Sequence, residues 1–128
     1  MSRRPSPTER AILALMSCVF CKIVAGEIPA KRVHEDDELV AFEDIKPEAP
    51  VHILIIPKRH ISTLNDLGSG DDALVGAMIR QAASIAKARG VDATGYRTVF
   101  NCNAHAGQTV FHIHLHVLAG RGLGWPPG

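Results

Sequence analysis

Three histidines, His112, His114 and His116, alternate with Ile113, Leu115 and Val117 in the run HIHLHVLAG. On an extended strand alternate side chains share one face, so the imidazoles would stand side by side, neighbours about 7 Å apart. One reading is a coincidence of spacing in a half-buried strand. A second is a catalytic metal, since two histidines at i and i+2 can share an ion with a third ligand from elsewhere. A third is covalent chemistry at phosphorus, because imidazole is nucleophilic near neutral pH and a neighbour can fix its tautomer. Coincidence suits one histidine better than three, as stacked polar rings on an aliphatic strand have no packing rationale.

The preceding loop, AGQT, favours the phosphorus chemistry. Gly107 lets a backbone N–H approach an anion closely. Gln108 and Thr109 add an amide and a hydroxyl. Donors beside a nucleophile suit a phosphate whose charge moves during displacement. A strand built only to hold metal has no use for them, although Gly107 alone would read as a tight turn.

These residues must be held by regular elements. CVFCKIVAGEIP predicts one or two helical turns ended by Gly26, with Pro29 beyond. AKRVHE and ELVAFEDI predict a strand pair with acidic residues 35–38 at the turn. VHILIIP is apolar on both faces and predicts a central, covered strand ended by Pro57. The spacing predicts a helix over Asp71–Arg89, with Leu74, Val75, Met78, Ile79, Ala82, Ala83 and Ala86 as its apolar stripe and Gly90 at its end. YRTVFN and VFHIHLHVLA read as two further strands, CNAHAGQT as the loop between them, and RGLGWPPG as an irregular tail. The order predicts an α+β domain: a five-stranded antiparallel sheet, a long helix and a short N-terminal helix, with the helices packed on one face. Residues 1–16 read as a flexible tail, helical at most over Ala11–Met16, and 17–128 as one domain that includes the C-terminal tail 120–128.

At 128 residues the chain fits one domain with a real core. A net charge of +1 lacks the basic excess of a nucleic-acid surface. No apolar run reaches the roughly 20 residues that cross a membrane. Three cysteines, Cys18, Cys21 and Cys102, do not close a disulfide framework and point to a reducing compartment, cytoplasmic or nuclear. A mitochondrial presequence fits less well, because Glu9 interrupts the N-terminal positive charge.

GQTVFHIHLHVLAGR resembles the H-x-H-x-H signature of the histidine-triad superfamily, and within it the Hint branch of purine nucleoside phosphoramidases. The resemblance runs from CVFCKIVAGEIPAK through AFEDIKPEAPVHILIIPKRHIS to the terminal WPPG. It implies hydrolysis of adenosine 5′-monophosphoramidates, including AMP-lysine and acyl-adenylate relatives, to AMP and an amine. His114 would attack the α-phosphorus and carry a nucleotidyl intermediate. His116 would contact the phosphate, and His112 and His52 would orient the site and relay protons. The amide of Gly107 would hold phosphate oxygens, with Gln108 beside it and Thr109 near the leaving amine. Relatives often carry serine at that position; the extra methyl of threonine stiffens χ1. Asp44 would bind the ribose hydroxyls. Phe20, Ile23, Phe42 and Ile45 would line the base site, with Asn101 near the sugar and phosphate. By composition alone those four apolar residues would read as ordinary core.

The resemblance further implies a homodimer whose sheets join across the long helix and a strand, with Trp125 and its tail near the partner's active site. No cofactor is implied for catalysis. Cys18 and Cys21 have zinc-ligand spacing, and similar bacterial-type proteins complete a structural zinc with histidines matching His60 and His112. The alternative is two buried thiols on a short helix. With zinc, His112 becomes a ligand and its relay role falls away. Cys102 and His105 read as surface residues. Three other readings stand beside the phosphoramidase: a dinucleoside polyphosphate hydrolase of the same superfamily, a nucleotide-binding regulatory protein, and a zinc protein with structural histidines.

Overall fold

The computed structural model describes residues 4–128. The first helix, α1, spans Pro7–Ser17. Ser6 caps it, its hydroxyl accepting from the Glu9 N–H at 3.1 Å, and Pro7 occupies the first turn where its missing N–H costs nothing. This differs from the flexible tail expected over 1–16; residues 1–3 of that tail lie outside the described residues.

The Cys18 thiol caps α2 (Val19–Val24), accepting from the Cys21 N–H at 3.4 Å. Gly26 follows at φ +78°, the conformation that ends such a turn cheaply. β1 (Arg32–Glu35), β2 (Leu39–Glu43), β3 (Val51–Pro57), β4 (Tyr96–Phe100) and β5 (Leu115–Ala119) form one antiparallel sheet in the order β1-β2-β3-β5-β4. The expected central strand is therefore central. α3 (Asp72–Ala88) is the long helix, and α4 (Asn103–Ala106) is a single turn inside the segment read as loop.

β2 and β3 are apolar on both faces, and each face takes a helix. Leu39, Ala41, Ile53 and Ile55 meet Met78, Ala82 and Ile85 of α3. Val40, Phe42, Leu54 and Ile56 meet Phe20 and Ile23 of α2. The helices thus flank the sheet, correcting the expectation that they share one face. Two continuous apolar strands leave no face that water can cover without loss. On α3, Ile85 packs inward, whereas Ile79 and Ala83 of the expected stripe are exposed.

β5 is shorter than the strand expected over 110–119. Its ladder on β3 ends at Ile55↔Leu115 and on β4 at Phe100↔Leu115. Beyond that, the Ile113 N–H bonds to Ile61 O at 2.7 Å. The chain nevertheless keeps its alternation: Ile113, Leu115 and Val117 enter the α3 core, and the histidines turn towards α2.

Candidate active site

His114 is 8 % exposed, with Nδ1 2.8 Å from the His112 carbonyl oxygen. A carbonyl only accepts, so Nδ1 carries the proton and Nε2 keeps its lone pair. The Phe20 ring stands edge-on, 5.0 Å from the imidazole. Burial lowers the pKa of His114 against the opposing pull of the His112 carbonyl and of Asp44.

His116 has the opposite tautomer. The Glu48 N–H donates to His52 Nδ1 at 3.0 Å, so His52 is protonated on Nε2. That Nε2 lies 2.8 Å from His116 Nδ1 and 3.4 Å from Asp44 Oδ2. His116 Nδ1 must accept, which leaves a proton on its Nε2. Burial, then His114 and His52, push the His116 pKa down to about 4. One histidine thus presents a lone pair and its neighbour an N–H. Asp44, His52 and His116 are also close enough to share an ion. The 2.8 Å His52–His116 separation is that of a one-proton hydrogen bond, whereas two nitrogens on one zinc stand about 3.3 Å apart.

His114 and His116 close one end of a cleft of about 340 Å³. Phe20, Ile23, Phe42, Asp44, Ile45 and Thr109 line it as well. Phe20 and Phe42 meet edge to face at 5.6 Å. Ile45 is 92 % exposed and stands at the mouth.

Cys18, Cys21, His60 and His112 gather on the other side of α2, their ligand atoms all within 4.8 Å of one another. His112 Nδ1 is 3.4 Å from Cys18 Sγ and 3.6 Å from Cys21 Sγ; His60 Nδ1 is 3.3 Å from Cys21 Sγ. Sulfur and nitrogen ligands of one tetrahedral zinc lie about 3.5 Å apart, so the set fits that ion. The outer nitrogens are tied back: His112 Nε2 donates to Pro57 O at 2.8 Å, and His60 Nε2 lies 3.2 Å from Ser62 Oγ. That is the outer support a ligating histidine needs. Burial holds the His112 pKa down at about 4, keeping the ring in its ligating form. Burial and the Cys18 contact push the Cys21 thiol up to about 12, a value a bound dication would reverse.

Residues 17–123 match the family model described as scavenger mRNA decapping enzyme C-term binding. A purine nucleoside phosphoramidase of Escherichia coli (strain K12) is 49 % identical over 106 residues, covering 83 % of this chain and 89 % of its own. A HIT family hydrolase from Legionella pneumophila Philadelphia 1 superposes with a TM-score of 0.86 at 53 % identity, covering 88 % of this chain and 100 % of that one. The chain belongs to the histidine-triad superfamily. A histidine triad protein from Clostridium difficile shares the fold at a TM-score of 0.83 and 45 % identity, covering 85 % of this chain and 95 % of its own. With such relatives, the chain is a histidine-triad hydrolase.

The other expected site residues of this histidine-triad protein lie as follows. The Gly107 N–H donates to Ala104 O at 3.0 Å and the Gln108 N–H to Asn103 O at 3.1 Å, so both amides close α4 instead of facing an anion. Gly107 is at φ +84°, the left-handed C-terminal position of that turn. The Gln108 side chain is 6 % exposed and fully engaged. Its oxygen accepts from the Asn103 N–H at 2.8 Å, and its nitrogen donates to Ser62 O at 2.8 Å and Val110 O at 3.1 Å. In this arrangement its side chain clamps the loop. The His112 ring, with both nitrogens committed, reaches the catalytic face only through its backbone carbonyl. Asn101 is outside the cleft lining, and the β4–β5 pairing stops just before it, at Phe100↔Leu115. Trp125 is 82 % exposed and does not line this chain's cleft. The histidine-triad cleft also takes Val19, Ile28, Pro29, Ala30, Glu43, Leu54 and Val110, which sequence reasoning missed. Leu54 was findable: a strand apolar on both faces supplies a wall to both helices, and it pairs with Phe42. Ile28–Ala30 follow α2 as irregular chain, where no periodicity marks a face.

Proposed function

We propose that this protein is a nucleoside phosphoramidase acting on AMP-type phosphoramidates. The observation that carries the reading is the His114 Nδ1 bond to the His112 carbonyl, which leaves Nε2 with its lone pair at the end of an apolar cleft. Nε2 attacks the α-phosphorus, the P–N bond breaks, and the leaving nitrogen takes a proton from solvent through the Thr109 hydroxyl, a proton that the hydrolytic water later returns. Water then attacks the phosphorus, the P–Nε2 bond breaks, and AMP departs. The His116 Nε2–H steadies the phosphoryl oxygen as its charge grows. Asp44 takes the ribose hydroxyls, and Phe20, Ile23 and Phe42 pack on the purine. With Gly107 and Gln108 engaged in α4, the phosphate donors are the backbone N–H groups from Thr109 onward, and Asn101 serves near the sugar and phosphate.

The same reading includes a homodimer. β4 is a sheet edge in contact with α3, and Tyr96 of β4 and Ile79 of α3 are large exposed apolar residues. An exposed edge beside an apolar helix face supports pairing with a second copy. It would bring the partner's Trp125 towards this cleft. Zinc at Cys18, Cys21, His60 and His112 is structural: it would fix α2 and supply no step of the reaction. No helix among the described residues is long and apolar enough to cross a membrane, and the reducing compartment remains part of the proposal.

The test is turnover of a fluorogenic adenosine phosphoramidate by the wild type and by His114→Ala and His114→Gly, each with and without chelator. Loss of turnover in both variants with the fold retained supports the covalent mechanism. Comparable rates in His114→Ala would sink it. One rival is a dinucleoside polyphosphate hydrolase of the same superfamily. A dinucleoside polyphosphate turned over faster than the phosphoramidate would favour that rival.

A further inference from the structure

The tautomers of His52 and His116 rest on one backbone donor, the Glu48 N–H at 3.0 Å from His52 Nδ1, with Asp44 Oδ2 3.4 Å from His52 Nε2 beside it. Rotate that peptide and only Asp44 Oδ2, 3.4 Å from Nε2, still favours a proton there. His116 then depends on that one contact for the donor that fixes its own tautomer. What holds Glu48 is therefore part of the site.

Glu48 lies in Lys46-Pro47-Glu48-Ala49-Pro50, between β2 and β3. Pro47 and Pro50 have fixed φ, and each restricts the residue before it. The freedom that remains lies in Pro47 ψ and the two torsions of Glu48, so holding the Glu48–Ala49 peptide limits the neighbouring peptide that carries the Glu48 N–H. The Glu48 carbonyl accepts twice from Arg121: from Nη2 at 2.9 Å and from Nε at 3.2 Å. Arg121 Nη1 is itself steadied by Gly122 O at 3.0 Å. A second contact joins the same two segments. Gly120, at φ +92°, approaches so closely that a Cβ there would stand 2.8 Å from Pro50 Cβ. Only glycine fits, and the backbone after β5 lies directly against the loop.

We propose that Arg121 is a positioning residue for the reaction: by holding Glu48 from the start of the C-terminal tail, it fixes His52 and, through His52, the donor tautomer of His116. The chain of contacts is Arg121 to Glu48 O, Glu48 N–H to His52 Nδ1, His52 Nε2–H to His116 Nδ1, and His116 Nε2–H to substrate. Arg121 touches neither substrate nor phosphate. Its planar guanidinium supplies two donors to one carbonyl, which a lysine ammonium on a flexible stem reproduces only in part. The kinetic consequence rests on the phosphoramidase reading, but the tautomers do not.

The experiment therefore reads both. Ring ¹⁵N shifts of His52 and His116 are recorded in the ligand-free wild type, Arg121→Ala and Arg121→Lys, with circular dichroism as the fold control. The same proteins are assayed on the adenosine phosphoramidate. Wild type is expected to show both rings protonated on Nε2. Arg121→Ala is expected to shift His52 and His116 towards mixed tautomers and to lower kcat about tenfold, as loss of outer-shell support does. Its KM should change less than about twofold, since no binding contact is lost. Arg121→Lys should fall between the two on both readouts. Unmoved ring shifts in a folded Arg121→Ala overturn the proposal, whatever its turnover. A wild type without phosphoramidase turnover overturns the functional reading alone, and the ring shifts still decide the role of Arg121.

Discussion

The backbone carbonyl of His112 accepts the Nδ1 proton of His114 at 2.8 Å, while the His112 ring faces two thiols on the far side. One residue thus serves two sites through different atoms. Substituting its ring should disturb the metal cluster first and the nucleophile second. His112→Ala is expected to lose zinc while keeping measurable turnover, and His114→Ala the reverse. Elemental analysis beside the phosphoramidate assay separates them.

Zinc binding should depend on all four ligands. Wild type is expected to hold about one zinc per chain, and Cys18→Ser or His60→Ala well below that. Removing the ion from the wild type leaves buried thiols and an unfastened α2, so Tm should fall on chelation. A Tm that is the same with and without chelator, together with equal zinc in Cys18→Ser, would remove the cluster from the metal sites.

Acid should cost both activity and stability, in a defined window. The reactive imidazoles are neutral, and burial holds His114 below the usual histidine range and His116 at about 4. Turnover should stay level from pH 8 to about 6.5 and fall only below it. His112 and His116 have folded values near 4, below their unfolded value of about 6.5. The unfolded chain therefore binds more protons between those limits, and stability drops as pH falls through that window. Asp36, held at about 2 by His34 and by the Glu38 amide, adds a further loss below pH 4. A Tm that rises between pH 6.5 and 4 contradicts this assignment.

Gln108→Ala tests whether that residue is clamp or ligand. Three hydrogen bonds are lost, two of them to carbonyls left near the core. The expected destabilisation is about 2–3 kcal/mol, a Tm loss on the order of 8 °C. KM at a temperature where the variant is folded should barely move. A large KM rise with unchanged Tm would return Gln108 to the nucleotide contacts.

Phe20 should show both faces of α2. It is 6 % exposed and touches Phe42, His112 and His114. Phe20→Ala should cost about 3–5 kcal/mol of stability and raise KM by opening the cleft wall. Phe20→Leu should restore most of the stability but less of the KM, because the edge-on ring contact is absent. Equal recovery of both would mean that only volume matters there.

How much of this was legible in the sequence follows from periodicity. The strand parity of β2, β3 and the histidine run, together with the spacing of α3, was enough to expect a central β3 and imidazoles on one face. Cys18-x-x-Cys21 and the flanking motifs brought four ligands to mind that the fold indeed gathers. The errors lie where parity says nothing. Whether two helices share a face or flank the sheet depends on tertiary packing, which the strand pattern does not encode. Whether Gly107 and Gln108 offer their amides outward depends on the single turn of α4, which four residues cannot announce. The SPTE start of α1 carries a capping signal that the composition of the segment masks. Arg121 carried no signal at all: a charged residue in a Gly-rich tail acquires meaning only when Glu48 is seen beneath it.

The strict alternation from His112 to Val117 has a genetic consequence. Even-numbered positions handle metal and phosphate, and odd-numbered ones fill the α3 core. Point substitutions can therefore damage chemistry and folding separately. A single-codon insertion or deletion in this run cannot: it would turn imidazoles into the aliphatic layer and aliphatics into the cleft at once. The segment should tolerate changes of residue far better than any change of length.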